Sequence, residues 1–286
     1  MVSDASLDRF YVAGRELKFP AVMGVVNTTP DSFSDGGTLY QSTQLDLDKA
    51  FDRCAKMVQD GATILDIGGE STRPGSAPVS VERELERVIP LVDRLARSLD
   101  VALSLDTSTP QVMLEGALAG AHIINDVRAL RREGALEAAA STDLAICLMH
   151  MQGEPKTMQA QPIYDDVVQA VSGFLNQRIE DCLAAGIDTK RLWIDPGFGF
   201  GKTLAHNIEL MQNISYFCNG GYPVLVGVSR KSMIGVITSK DVDERLAGGL
   251  ALATFALMQG AHIIRTHDVD ATMDVVNVVR VLKGEQ

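Results

Sequence analysis

Arg265 and His267 alternate along an extended apolar segment, so both side chains point to the same side of it. An arginine beside a histidine suits a phosphate or pyrophosphate; an ion pair with the closing helix is the plainer use of the arginine. Asp66, Asp106, Asn125 and Asp195 each stand at the end of a short apolar run. Any one of them alone is as readily a helix cap or a turn residue. Together on successive strand tips, three carboxylates and an amide could hydrogen-bond a flat heterocycle carrying amino, ring N–H and carbonyl groups. Ser229 and Lys231 fall where a loop meets a helix N-terminus, a common anion site, although Ser229 could equally cap that helix. Gly197 to Thr203 invites a nucleotide reading and fails it: Pro196 occupies the first glycine position of a Walker A loop, and Lys202 replaces the third glycine of a dinucleotide fingerprint.

The elements that must position these groups follow one plan. Gly260, Ala261, His262, Ile263 and Ile264 precede Arg265; Gly120, Ala121, His122, Ile123 and Ile124 precede Asn125; Gly61, Ala62, Thr63, Ile64 and Leu65 precede Asp66. Each copy is a glycine that closes a helix, a buried apolar strand and a polar tip. Further strands are expected over Val22–Val26, Ala102–Leu105, Leu144–Met149, Leu192–Ile194 and Val224–Val228. Helices are expected over Leu45–Gln59, after Pro110, and over Asp165–Ala185, Glu244–Gln259 and Val269–Leu282. One more helix begins near Ser80, a candidate cap whose partner Glu84 lies one residue beyond the capping-box spacing. His122 and His262, at strand starts, read as structural. Eight strand-then-helix units without a composition break imply a single (β/α)8 TIM barrel over residues 1–286, with residues 1–20 as a leader or hairpin and with long first and second βα loops. A doubly wound sheet is the runner-up. It gathers its ligand groups at one switch point, whereas polar candidates end all eight strands here.

Composition narrows the partners. The 286 residues include 26 Lys and Arg against 37 Asp and Glu, a net charge of −11, which argues against nucleic acid or an anionic membrane surface. The longest stretch free of charge and histidine, Leu246–Ala261, is shorter than the ~20 apolar residues of a membrane span. Met1–Phe10 lacks the apolar core of a signal peptide, and Cys54, Cys147, Cys182 and Cys218 lack zinc-ligand spacing, which reads as reduced thiols in a cytoplasmic protein.

The runs Asn27–Gly37, Gly68–Gly75, Asp195–Lys202, Ser229–Gly235 and Arg265–Asp268 resemble, in order, the signature loops of the bacterial dihydropteroate synthase family, over nearly the whole chain. The resemblance implies a cytoplasmic folate-pathway transferase and sulfonamide target. It would join 6-hydroxymethyl-7,8-dihydropterin diphosphate to 4-aminobenzoate and release pyrophosphate, with Mg2+, as a homodimer formed through late helices. Residue by residue, it implies that Asp106, Asn125, Asp195 and Lys231 hold the pterin, with Asp66 and Met149 near it. Asn27 would ligate magnesium. Arg265 and His267 would bind the diphosphate, with Thr72 and Arg73 arriving from loop two. Ser229 would receive the aminobenzoate carboxylate in a pocket shaped by Phe33, Pro74, Phe200 and Lys202. The implied chemistry is SN1-like, with electrostatic work for Asp106, Asp195, Lys231, Arg265 and His267 instead of acid–base catalysis. Two alternatives share the fold: a pterin-binding barrel of the corrinoid methyltransferase type, which needs no diphosphate site, and an isomerase or aldolase, for which Lys231 is the one suitable lysine.

Overall fold

A computed structural model of the chain describes residues 9–29, 40–41, 44–71, 79–153, 157–158 and 162–284. Twelve strands and ten α-helices occur among them. Strands β1 (Arg9–Val12) and β2 (Arg15–Lys18) form an antiparallel hairpin. Strand β3 (Ala21–Asn27) opens the main sheet, and β4 (Tyr40–Gln41) with β5 (Gln44–Leu45) makes a small antiparallel pair within loop one. The strands β6 (Ile64–Gly68), β7 (Ala102–Asp106), β8 (Ile123–Asp126), β9 (Ala145–Met149), β10 (Leu192–Asp195), β11 (Leu225–Gly227) and β12 (Ile263–Thr266) complete the sheet. All its pairings are parallel, in the order β10-β9-β8-β7-β6-β3-β12-β11. A parallel bridge between Ile194 and Val224 joins the two ends, reinforced by Ile194 N–H donating to the Pro223 carbonyl at 2.9 Å. That closure separates a barrel from the doubly wound alternative.

Helices α1 (Leu47–Gln59), α2 (Val81–Ser98), α3 (Pro110–Leu118), α4 (Ala135–Ala140), α5 (Val167–Ala184), α6 (Leu204–Gln212), α7 (Ile214–Cys218), α8 (Ser232–Thr238), α9 (Leu246–Met258) and α10 (Val269–Leu282) surround the sheet. Local chemistry sets several starts. Asp46, Ser80 and Asp166 accept the backbone N–H of Lys49, Arg83 and Gln169, which satisfies helix-end donors that would otherwise be orphaned. The Glu84 side chain takes no part in the Ser80 cap. Loop one runs from Asn27 to α1 and loop two from Gly68 to α2, and both are long, as expected.

Side chains alternate across a strand, so one parity faces the barrel axis and the other the helices. The axial parity gives a buried floor of Met23, Ile64, Ala102, Ile123, Cys147, Trp193, Leu225 and Ile263. Val12 and Leu17 of the hairpin join that floor, and Phe10 and Phe19 pack edge-on against Trp193 with centroids 5.6 and 6.4 Å away. The hairpin therefore plugs the N-terminal end with apolar surface. Two residues further along the same parity come Asp66, Ser104, Asn125, Asp195 and Arg265, with Val25, Met149 and Gly227 at the remaining three strands. One step up the strands thus turns an apolar layer into a polar one.

Candidate active site

The centre of the polar layer is Asp66, 1% exposed. Its Oδ1 accepts from Ser104 Oγ at 2.6 Å; its Oδ2 accepts from Asn125 Nδ2 at 3.0 Å and from Arg265 Nε at 2.7 Å. Arg265 Nη2 donates to Asp106 Oδ2 at 2.8 Å. The guanidinium thus bridges two carboxylates, the fork geometry that suits arginine. Burial, then the neighbouring Asp66 carboxylate, raise Asp106 to about 7, with Arg265 acting the other way. The charges of the two aspartates hold Arg265 firmly cationic despite its burial. Neither acid belongs to the closing helix, so Arg265 is not spent on an ion pair there; it is Arg230 that pairs with Asp268 at the start of that helix, Nε to Oδ2 at 3.1 Å and Nη2 to Oδ1 at 2.5 Å.

Asp195 completes the layer from β10. Its Oδ1 accepts Gly197 N–H at 2.7 Å, and burial raises its pKa while Lys231 lowers it. Lys231 Nζ donates to the Phe198 carbonyl and stands 4.8 Å from the Phe200 ring centroid, a cation–π distance. Burial brings this lysine down to about 8, opposed by Asp195. Met149, at the tip of β9, packs in a buried cluster with Val127, Met151 and Met158, with Phe200 against it. This gives the polar layer one apolar wall.

Ser229 and His267 meet at 3.1 Å, Oγ to Nδ1, and Ser229 Oγ also accepts His267 N–H at 3.2 Å. The hydroxyl and the ring nitrogen thus share one hydrogen, donated by Oγ or by Nδ1 according to the imidazole tautomer. Burial and then Arg265 lower His267 to about 3, so the ring is neutral at working pH and not a cation. Ser229 does not cap α8; Lys231 occupies that position.

Lys202 is 3% exposed. Its Nζ contacts His150 Nδ1 at 2.9 Å, the Gly197 carbonyl at 2.8 Å and the Phe200 carbonyl at 3.1 Å. Burial pushes the ammonium well below the ordinary lysine range, yet three carbonyl acceptors around one nitrogen, the third being that of His150 at 3.4 Å, call for three N–H donors, so we assign the charged form. His150, lowered to about 2 by burial and then by Lys202, is the neutral acceptor. Lys202 therefore ties down the loop after β10. Gly197 lets that loop turn: its φ is +72°, and a Cβ there would lie 1.9 Å from the His150 carbonyl oxygen.

Asn27 ends β3 on the rim, half-buried. Among the described residues no group of three His, Cys, Asp or Glu is placed to hold a metal. Phe33, Thr72, Arg73 and Pro74 lie outside the described residues. The structure thus gathers Asp66, Asp106, Asn125 and Arg265 into one bonded network, with Asp195 and Lys231 beside it. Sequence reading missed Ser104, hidden in an apolar run although its parity matches Asp66, and it missed Glu84 and His150, whose partners are distant in sequence.

Eight parallel strands closed around a polar layer, with every candidate at the C-terminal ends, define an enzyme-type barrel mouth. Residues 23–267 match the model of a family described as pterin binding enzyme. Dihydropteroate synthase of Escherichia coli strain K12 is 54% identical over 264 residues, 92% of this chain and 92% of that one. The Haemophilus influenzae enzyme of that name is 50% identical over 263 residues, 92% of this chain and 94% of its own. A Yersinia pestis dihydropteroate synthase crystallised with a sulfonamide drug superposes with a TM-score of 0.93 at 49% identity, covering 96% of this chain and 99% of that one. A Xanthomonas albilineans dihydropteroate synthase with 4-aminobenzoic acid gives 0.89 at 46% identity, covering 98% and 99%. The chain belongs to the pterin-binding enzyme family, and within it to the dihydropteroate synthases.

Proposed function

We propose that the chain condenses 6-hydroxymethyl-7,8-dihydropterin diphosphate with 4-aminobenzoate to give 7,8-dihydropteroate and pyrophosphate. The observation that carries this reading is the bonded layer of Asp66, Asn125, Arg265 and Asp106 at the barrel mouth. Carboxylates and an amide there match the donors and acceptors of a pterin ring, and Arg265 supplies the cation a diphosphate needs. Aminobenzoate carboxylate is assigned to Ser229, with Phe200 as a pocket wall and Lys202 acting from beneath the loop.

Such a layer favours a dissociative path. Breaking the methylene–oxygen bond first leaves a cation spread into the electron-rich ring, and the amine attacks afterwards. Burial makes Asp106 and Asp195 costly as anions in the resting site, even beside Arg265 and Lys231. They are stabilised as positive charge grows on the ring, so the interaction is stronger in the transition state than in the ground state. Asn27 offers one hard oxygen, which suits a magnesium ion held otherwise by diphosphate and water. When bound, that ion would neutralise the departing pyrophosphate.

No helix among the described residues is long and apolar enough to cross a membrane. Four buried free thiols support a reducing, cytoplasmic location. Exposed Val236, Ile237, Phe255, Met258, Val278 and Val281 on α8, α9 and α10 support a homodimer through these helices. Sedimentation at micromolar concentration would show a species of twice the chain mass; a monomer would remove that assignment.

Pyrophosphate release on mixing both substrates with Mg2+ tests the reaction. Release dependent on aminobenzoate is expected. Pterin binding without release would instead indicate a pterin-binding barrel of the methyltransferase type.

A further inference from the structure

Glu84, on the first turn of α2, is 1% exposed although it is an acid on an otherwise solvent-facing stretch. Its Oε1 accepts from Thr107 Oγ1 and its Oε2 from Thr109 Oγ1, each at 2.5 Å. The hydrogen positions follow from the remaining bonds. Thr107 Oγ1 accepts Thr109 N–H at 3.0 Å, and Thr109 Oγ1 accepts Arg132 Nη1 at 2.8 Å. Both hydroxyl hydrogens are then left for Glu84, and a carboxyl group that receives two donors, one on each oxygen, is a carboxylate. Burial raises its pKa, with the two threonine hydroxyls opposing. Thr109 is also the N-cap position of α3, but its hydroxyl makes no cap bond because it is committed to Glu84.

This clasp sits directly behind the candidate pterin site. Thr107 follows Asp106, and Thr107 N–H donates to the Asn125 carbonyl at 3.2 Å. One helical turn along α2, Arg87 Nη1 donates to the Gly69 carbonyl at 2.9 Å, just beyond the strand that carries Asp66. The face of α2 therefore grips the ends of β6 and β7 together. We infer that Glu84 is a positioning residue for pterin binding: its carboxylate fixes the turn after β7 and thereby the orientation of Asp106 against Asp66, Asn125 and Arg265. The inference rests on the synthase reading and adds to it a residue from outside the barrel mouth. The carboxylate has a second consequence. With Asp66 and Asp126 it makes up the negative charge that faces Asp106 against Arg265, on the side where a cationic ring would be stabilised.

The test uses steady-state kinetics on the full chain, well below each variant's melting midpoint. Glu84→Gln replaces one carboxylate oxygen by an amide NH2, so one threonine hydroxyl loses the acceptor for its hydrogen, and Thr107→Val removes one arm of the clasp from the other side. Each is expected to raise KM for the pterin diphosphate about tenfold, the equivalent of one net hydrogen bond, with KM for aminobenzoate within about twofold of wild type. Thr107→Ser, which keeps the hydroxyl, restores the wild-type value. Equal rises for both substrates, a lower melting midpoint with unchanged kinetics, or an unaffected Thr107→Val would each overturn the inference. Inactive wild-type protein would instead count against the synthase reading itself.

Discussion

The segments that lead into β8 and β12 start with the same five residues, Gly-Ala-His-Ile-Ile, and finish with different ones, Asn-Asp and Arg-Thr. Their lower halves behave as copies. Gly120 and Gly260 both have φ +100°, where glycine closes a helix without strain. His122 Nδ1 accepts Leu103 N–H at 3.1 Å, and His262 Nδ1 accepts Val224 N–H at 3.1 Å. Burial lowers both imidazoles, His262 to about 4, so both are neutral acceptors that replace a missing ladder bond at the strand start. The upper halves then converge on one atom from opposite chemistry: Asn125 and Arg265 both donate to Asp66 Oδ2. The shared half builds scaffold, and the differing residue decides whether the strand brings an amide or a cation to the same carboxylate.

The largest effect should come from the cation. Arg265→Ala leaves Asp66 and Asp106 buried without their counter-charge, a change of about 3–5 kcal/mol. Calorimetry should show pterin diphosphate binding weakened by roughly 100-fold or more, with little change for an aminobenzoate analogue binding to a preformed pyrophosphate complex; equal losses would end the assigned difference. Asn125→Ala removes an amide and should weaken pterin binding by about 1–3 kcal/mol. That loss should appear equally for a pterin without the diphosphate, whereas the Arg265 effect should shrink for that ligand.

The scaffold halves predict symmetry. His122→Ala and His262→Ala each orphan a buried N–H, at about 1–3 kcal/mol of stability by urea unfolding, with both KM values unchanged. A marked difference between the two, or a kinetic effect from either, would break the equivalence of the copies. The smallest effect concerns Asp106. Burial raises its pKa from the ordinary carboxylate range to about 7. The folded chain therefore holds this proton to higher pH than the unfolded chain, and the associated stability is complete below about pH 4 and lost as pH rises through about 7. Asp106→Asn should raise the melting midpoint at pH 8 by about 2–4 °C, the shift that 1 kcal/mol gives in a chain of this size, with no gain at pH 4. A gain that is the same at both pH values would contradict the burial argument.

Repeated glycine stops and apolar runs fixed the succession of strands and helices, because backbone propensity and side-chain period act within a few residues. The candidates Asp66, Asp106, Asn125, Asp195 and Arg265 were legible because each follows an apolar run on the parity that faces the axis. Ser104 had the right parity and no charge to mark it. Glu84 carried a mark of another kind, near a candidate cap, and only its turn toward Thr107 and Thr109 shows its partners.

The sequence by itself determined the unit, its repetition and the polar residue that ends each strand. The tertiary structure decided which of those residues meet. Arg265 reaches Asp66 and Asp106 across 199 and 159 residues, and Lys202 reaches His150 across 52. Those pairings exist because parallel pairing sets β12 two strands from β6 and three from β7, and β9 beside β10, in a sheet that the bridge between Ile194 and Val224 closes. Inside it, burial sets the protonation of Asp106, His267 and Lys231, since desolvation depends on what surrounds a group and not on its neighbours in the chain.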